Sequence, residues 1–160
     1  MRKKVEQDAR DFFQKGYSLH MQGLFDEAIA LYEKSIEIHP TAEAYTFLGW
    51  SYSFKKAYGM AIEMCHKAIE IDPTFGNPYN DIGAYLIELG KPEEAVPWLE
   101  KALRAKRYDC RHFAYYNLGR IMEATWNWDE AKVCYKKALH ENPDYELAKN
   151  AIGFLTALAS

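Results

Sequence analysis

Cys110 and His112, two positions apart, are residues of the types that could begin a metal site. Two ligands fall short of the four a structural zinc takes. Cys65, Cys110 and Cys134 are odd in number and lack CxxC spacing, so neither a full disulfide set nor a zinc knuckle is expected. No Ser/His/Asp or Cys/His arrangement stands out, and no glycine-rich phosphate loop occurs. We therefore expect no catalysis, no metal and no cofactor. The remaining chemistry is that of binding. Phe13, Tyr17, Phe47, Trp50 and Phe54 are rigid rings that can anchor a partner at small entropic cost. Asn80 and Asn117 carry carboxamides that donate and accept at once, suited to an extended peptide backbone or to a local hydrogen bond.

These groups act together only if the chain brings them to one surface, and an internal repeat does so. Gly16, Gly49, Gly83, Gly119 and Gly153 fall at intervals of 33, 34, 36 and 34 residues by subtraction. Twelve residues after each of the first four stands an alanine: Ala28, Ala61, Ala95 and Ala131. Then come Tyr32, Cys65, Leu99 and Tyr135, followed by the small residues Ser35, Ala68, Ala102 and Ala138. Pro40, Pro73 and Pro143 close three units, and Arg107 stands where the third lacks its proline. Apolar residues recur at helical spacing, and "DEA" and "PEEA" put carboxylates in a helix's first turn, where its dipole favours them. Pro78 and Pro92 suit a first turn, whereas Pro97 lies inside a helix and should bend it. A glycine inside a helix costs about 1 kcal/mol relative to alanine. Close approach to the alanine of the second helix would offset that loss.

"YTFLGWSY", "YYNLGRIM", "DEAIALYEKSIEIHP" and "DEAKVCYKKALHENP" resemble the tetratricopeptide repeat, a helix-turn-helix unit of about 34 residues. The resemblance implies an all-α right-handed superhelix, an α-solenoid of four repeats at about 9–41, 42–75, 76–111 and 112–145 with a capping helix over 146–158. It also implies a concave groove lined by the first helix of each repeat, and a single domain that binds rather than catalyses. The groove positions are then Phe13, Tyr17 and His20; Thr46, Phe47, Trp50 and Phe54; Asn77, Asn80, Asp81, Ala84 and Glu88; and Phe113, Tyr116, Asn117, Arg120 and Glu123. That list is aromatic at its N-terminal end and polar at its C-terminal end. We expect Phe13, Tyr17, Phe47 and Trp50 as anchors. Asn77, Asn80, Tyr116, Asn117 and Arg120 complete the expected site, with Arg120 meeting a ligand carboxylate or Glu123. One subgroup of the family grips chaperone C-terminal carboxylates through lysines and asparagines, but Phe13, Tyr17 and Phe47 stand at three of those positions.

The expected partner is another protein or a peptide segment. In the apolar last helix Ile152 and Leu155 can simply seal the fourth repeat with Phe154 turned into the groove; the alternative is self-assembly through that helix, with Phe154, Leu155 and Leu158 at the interface. Lys101, Arg104, Lys106, Arg107 and Arg111 form a basic junction, either a solvated face or a site for an acidic or phosphorylated partner. The chain of 160 residues, 49% hydrophobic and 27% charged, has a net charge of -3, which gives no general case for nucleic acid or anionic membrane. "MRKKVEQDARDFF" lacks the apolar stretch of a signal peptide. "AIGFLTALA" is far short of the roughly 20 residues needed to cross a bilayer, so a cytoplasmic protein is expected.

Overall fold

The computed structural model describes residues 1–160 and consists of helices joined by short turns. They are α1 (Arg2–Met21), α2 (Phe25–Ile38), α3 (Ala42–Phe54), α4 (Tyr58–Ile71), α5 (Asn77–Glu88), α6 (Pro92–Arg104), α7 (Arg111–Ala124), α8 (Trp128–Glu141) and α9 (Glu146–Ala159). Each odd-numbered helix up to α7 packs on the helix after it, and the pairs stack in chain order into a superhelix. Along the stack α1 touches α3, α3 touches α5 and α5 touches α7. The first helices therefore sit together on one face. None of the helices is long and apolar enough to cross a membrane.

The turns inside the pairs repeat one device. Leu24, Ala57, Lys91 and Asn127 each donate their backbone N–H to the carbonyl five residues back, at Leu19, Tyr52, Leu86 and Met122. The residue before each donor has a positive φ: Gly23 at 80°, Lys56 at 60°, Gly90 at 77° and Trp126 at 64°. This hydrogen-bonded stop satisfies carbonyls that a helix end leaves open. Glycine takes the left-handed conformation freely. Lys56 and Trp126 adopt it against a cost of about 1 kcal/mol.

The small residues of the register are fully enclosed, with Ala28, Ala61, Ala95 and Ala131 all at 0% exposure. The glycines, however, make room mainly for a different neighbour from the one expected. A Cβ on Gly119 would lie 2.4 Å from the ring of Tyr135, and one on Gly83 would lie 2.5 Å from Leu99. Only Gly49 meets the alanine first, at 2.9 Å from the Ala61 carbonyl oxygen. The side chain sixteen positions on, one helical turn beyond the alanine, fills the space that the missing Cβ leaves. Helix α6 runs unbroken across Pro97.

The longer third junction folds back on the solenoid. Arg107 donates its N–H to Thr74 and accepts from Gly76, forming a short parallel bridge, and the Tyr108 ring covers Gly76. The Arg107 guanidinium pairs with Asp72 at 2.8 Å and Glu43 at 2.9 Å, and lies over the Phe75 ring. Hydrogen bonds from Thr74, followed by the one from Arg107, hold the Asp72 carboxyl down at about 2. Arg111 donates to the carbonyls of Leu103 and Ala105 at the end of α6. Three of the five basic residues are thus engaged within the fold, Lys101 lying 4.3 Å over the Trp98 ring, while Arg104 and Lys106 face solvent.

Candidate functional site

On the concave face α1 and α3 present a continuous aromatic cluster. Trp50 stacks on His20 at a centroid distance of 3.9 Å, and its edges meet Phe47 at 5.7 Å and Phe54 at 5.6 Å. Tyr17 meets Phe47 edge to face. His20 is buried, with Nδ1 at 2.8 Å from Ser51 Oγ, and burial lowers its pKa, which keeps it neutral under Trp50 at physiological pH. Trp50 is half-buried, so it is neither a core ring nor a freely exposed one.

A hollow of about 480 Å³ opens at the centre of this face. Tyr17, Phe47 and Trp50 form one wall, and Phe113, Tyr116 and Tyr145 form the other. Between them lie Thr46, Asn77, Asn80, Asp81, Tyr108, Cys110 and Asn117. The groove is therefore aromatic at both ends of the hollow and polar in between, a correction to the one-ended gradient read from the sequence. Tyr108 between the walls and Tyr145 in the second wall come from the segments preceding α7 and α9, which a register counted only along helices misses.

Eight of the nine expected groove residues stand at this hollow or next to it. Phe13 does not line it: its ring packs 5.5 Å from Tyr32 and 5.3 Å from Phe47, inside the joint of α1, α2 and α3. Asn80 and Asn117 are buried and bonded to each other, Asn117 Nδ2 donating to Asn80 Oδ1 at 3.0 Å. Arg120 extends the chain by donating to Asn117 Oδ1 at 3.2 Å and to Glu88 at 2.8 Å. Its partner is thus Glu88 on the neighbouring repeat. Glu123, one turn along α7, instead accepts the Tyr135 hydroxyl at 2.6 Å.

Asp81 was placed in the groove by register but carries more chemistry than the register tells. It stands two residues before Gly83, as Asn117 stands before Gly119. No lysine, arginine or histidine forms an ion pair with it, and its one hydrogen bond comes from Asn80 Nδ2 at 3.4 Å. Burial pushes its carboxyl up to about 7, against the smaller downward pull of Asn80. The Tyr85 and Tyr108 hydroxyls are buried without a hydrogen-bond partner, and the Asp81 charge raises the pKa of both beyond the effect of burial.

The groove continues in both directions. A hollow of about 460 Å³ lies between Trp50, Phe54, Tyr58, Asp81 and Tyr85, with Lys56 and Glu88 on its border. A broader one of about 690 Å³ lies where α7 faces α9, lined by Tyr116, Arg120, Trp126, Leu147, Phe154 and Leu158 among others. Phe154 and Leu158 are exposed there, as is Trp126 at 80%. Leu155 is not available to a partner: at 1% exposure it is packed among Ala131, Tyr135 and Ala148, so it seals the last pair. Cys110 lines the central hollow while His112 packs against Phe113 and Tyr145, and nowhere do three or more His, Cys, Asp or Glu side chains gather as a metal site requires.

Sequence models of the tetratricopeptide repeat match residues 12–41, 42–75, 64–96 and 112–145. A curated relative, the probable UDP-N-acetylglucosamine--peptide N-acetylglucosaminyltransferase SPINDLY of Hordeum vulgare, is 30% identical over 138 residues, covering 81% of this chain and 14% of its own. Curated relatives of this kind are matched over 12% to 31% of their length. Among solved structures, pilF of Pseudomonas aeruginosa superposes with a TM-score of 0.87 at 23% identity, covering 98% of this chain and 71% of that one. YrrB, described as a repeat protein with an unusual peptide-binding site, superposes with a TM-score of 0.66 at 24% identity, covering 99% and 82%.

Proposed function

The chain belongs to the tetratricopeptide repeat family, and we propose that it works without catalysis, by holding a segment of a partner protein in its concave groove. The observation that carries this reading is the central hollow, in which two aromatic walls face each other across a strip of asparagines. Rings on both sides can bury apolar side chains of a segment, and between them the Asn77 carboxamide can take its backbone N–H and C=O groups while Asn80 and Asn117 brace each other. The description of YrrB as a peptide binder agrees with this use of such a surface.

Trp50 is the anchor to remove. Wild type and Trp50→Ala are to be compared on a synthetic array of short peptides. Truncating a central aromatic anchor costs about 2 kcal/mol or more, so peptides held by wild type should lose roughly thirtyfold in affinity. Circular dichroism checks that the variant still folds, since Trp50 also covers His20. Equal retention by both proteins would place binding outside the groove.

A second reading rests on the exposed ring of Trp126, held at positive φ beside Phe154 and Leu158. On this reading a second copy covers the hollow between α7 and α9. Light scattering across a concentration series should then show a wild-type dimer and a Leu158→Asp monomer. A monomer in both removes the reading.

A further inference from the structure

We infer that the groove takes a peptide segment bearing a lysine or arginine side chain, whose cationic head enters beside Asp81. This rests on the groove reading and names what it selects. The central hollow and the one beyond it share two lining residues, Trp50 and Asp81. A chain lying along the concave face passes between the two hollows at that point, over one aromatic face and one carboxylate.

Charge complementarity decides the occupant. Asp81 has no cation of the protein against it, although cations stand near. Arg120 is taken by Glu88 and Asn117, and Lys56, on the border of the second hollow, forms no ion pair. From α5 itself Glu88 stands on the border with its charge met by Arg120, which leaves Asp81 as the unpaired acid there. Cys65, Cys110, Tyr85 and Tyr108 also face the Asp81 charge, and each is held more strongly protonated by it. The carboxylate therefore sits among neutral groups. The Tyr85 and Tyr108 hydroxyls are enclosed beside it and bring no positive charge. An ammonium or guanidinium group supplies donors alone, so it satisfies the carboxylate that the two hollows share. The Trp50 face adds attraction for a cation. An acidic segment would set carboxylate against carboxylate in a poorly solvated site, and a wholly apolar one would leave Asp81 covered and unpaired.

The test uses the full chain and an array of acetylated octapeptides. Their central residue is Lys, Arg, norleucine or Glu, and their flanks are randomised over Leu, Phe, Tyr, Ser and Gly. Wild type is read beside Asp81→Asn and Trp50→Ala. The expected result is at least tenfold tighter binding of the Lys and Arg peptides than of the norleucine and Glu peptides. In Asp81→Asn the Lys and norleucine peptides should bind alike, and in Trp50→Ala all signal should fall. Norleucine or Glu peptides binding as well as Lys peptides, with Trp50 still required, would overturn the inference and leave the groove reading intact. A cation preference that persists in Asp81→Asn would also overturn it. No binding by any peptide would overturn both.

Discussion

Free protein carrying Asp81→Asn should melt at a higher temperature than wild type at pH 8, and this advantage should fade as the pH is lowered toward 4. The sign follows from linkage. The Asp81 carboxyl sits at about 7 in the folded chain, whereas an unfolded aspartate titrates at about 3.9. Between those values the folded state holds a proton that the unfolded state has released, so wild-type stability falls as pH rises through the window and levels off above it. Asparagine keeps the size and hydrogen-bonding capacity of the protonated acid but has no charge to bury. The full window corresponds to about 4 kcal/mol. Water reaching the open groove reduces this to roughly 2–4 kcal/mol, and a chain of this size then gains on the order of 5–10 °C. Calorimetry of both proteins from pH 4 to pH 8 checks it. Equal melting at pH 8 would show that the groove solvates Asp81 well. A residue that weakens the free fold yet lines its central groove is what a binding role produces, because the stability it removes is recovered only when a partner supplies the missing charge.

The helix pairs were legible because packing imposes one rule on every repeat. Wherever two helices cross closely a Cβ must be absent, and Gly16, Gly49, Gly83 and Gly119 with their alanines record that rule in the chain itself. The groove follows from the same register as far as it lies on helices, which is why Tyr17, Phe47, Trp50, Asn80 and Asn117 could be read together. Three things escaped it for physical reasons. Tyr108 and Tyr145 come from the segments before α7 and α9, where no 3.6-residue period applies, and the backbone bridge of Arg107 to Thr74 and Gly76 that precedes Tyr108 is a contact between repeats. Arg120 selects Glu88 because stacked first helices bring side chains from neighbouring repeats closer than a count along one helix suggests. For the last helix the register offered two readings, Leu155 sealing the last pair with Phe154 turned to the groove or both meeting a second copy, and it is the burial of Leu155 against Tyr135 beside an exposed Phe154 that takes Leu155 out of the second. The charge on Asp81 was visible from the start, but its lack of a partner is a fact about every element around it.

Gly119→Leu should be among the most damaging single changes in the chain, while Gly153→Ala, at the same register one repeat later, should stabilise it. A Cβ at Gly119 would stand 2.4, 2.6 and 2.9 Å from three atoms of the Tyr135 ring. That ring cannot retreat cheaply. It is 1% exposed, packed with Ala131 and Leu155, and tied through its hydroxyl to Glu123 at 2.6 Å. Overpacking of this kind typically costs about 1–3 kcal/mol and occasionally more, and a leucine adds three further carbons where even the first does not fit. A loss above about 3 kcal/mol is expected, far beyond the gain of about 1 kcal/mol from better helix propensity. At Gly153 a Cβ meets nothing within 4 Å, so only the propensity gain of roughly 0.5–1 kcal/mol remains. Thermal melts of the two variants beside wild type separate packing from propensity, since one register position gives opposite signs. Similar melting of Gly119→Leu and wild type would mean that α7 and α8 do not approach as described. The same contact bears on binding, because Gly119 lies between Asn117 and Arg120 on α7. A helix pushed off Tyr135 at that point carries both polar groove residues away from Asn80 and Glu88, so the change that loosens the fold should also open the groove.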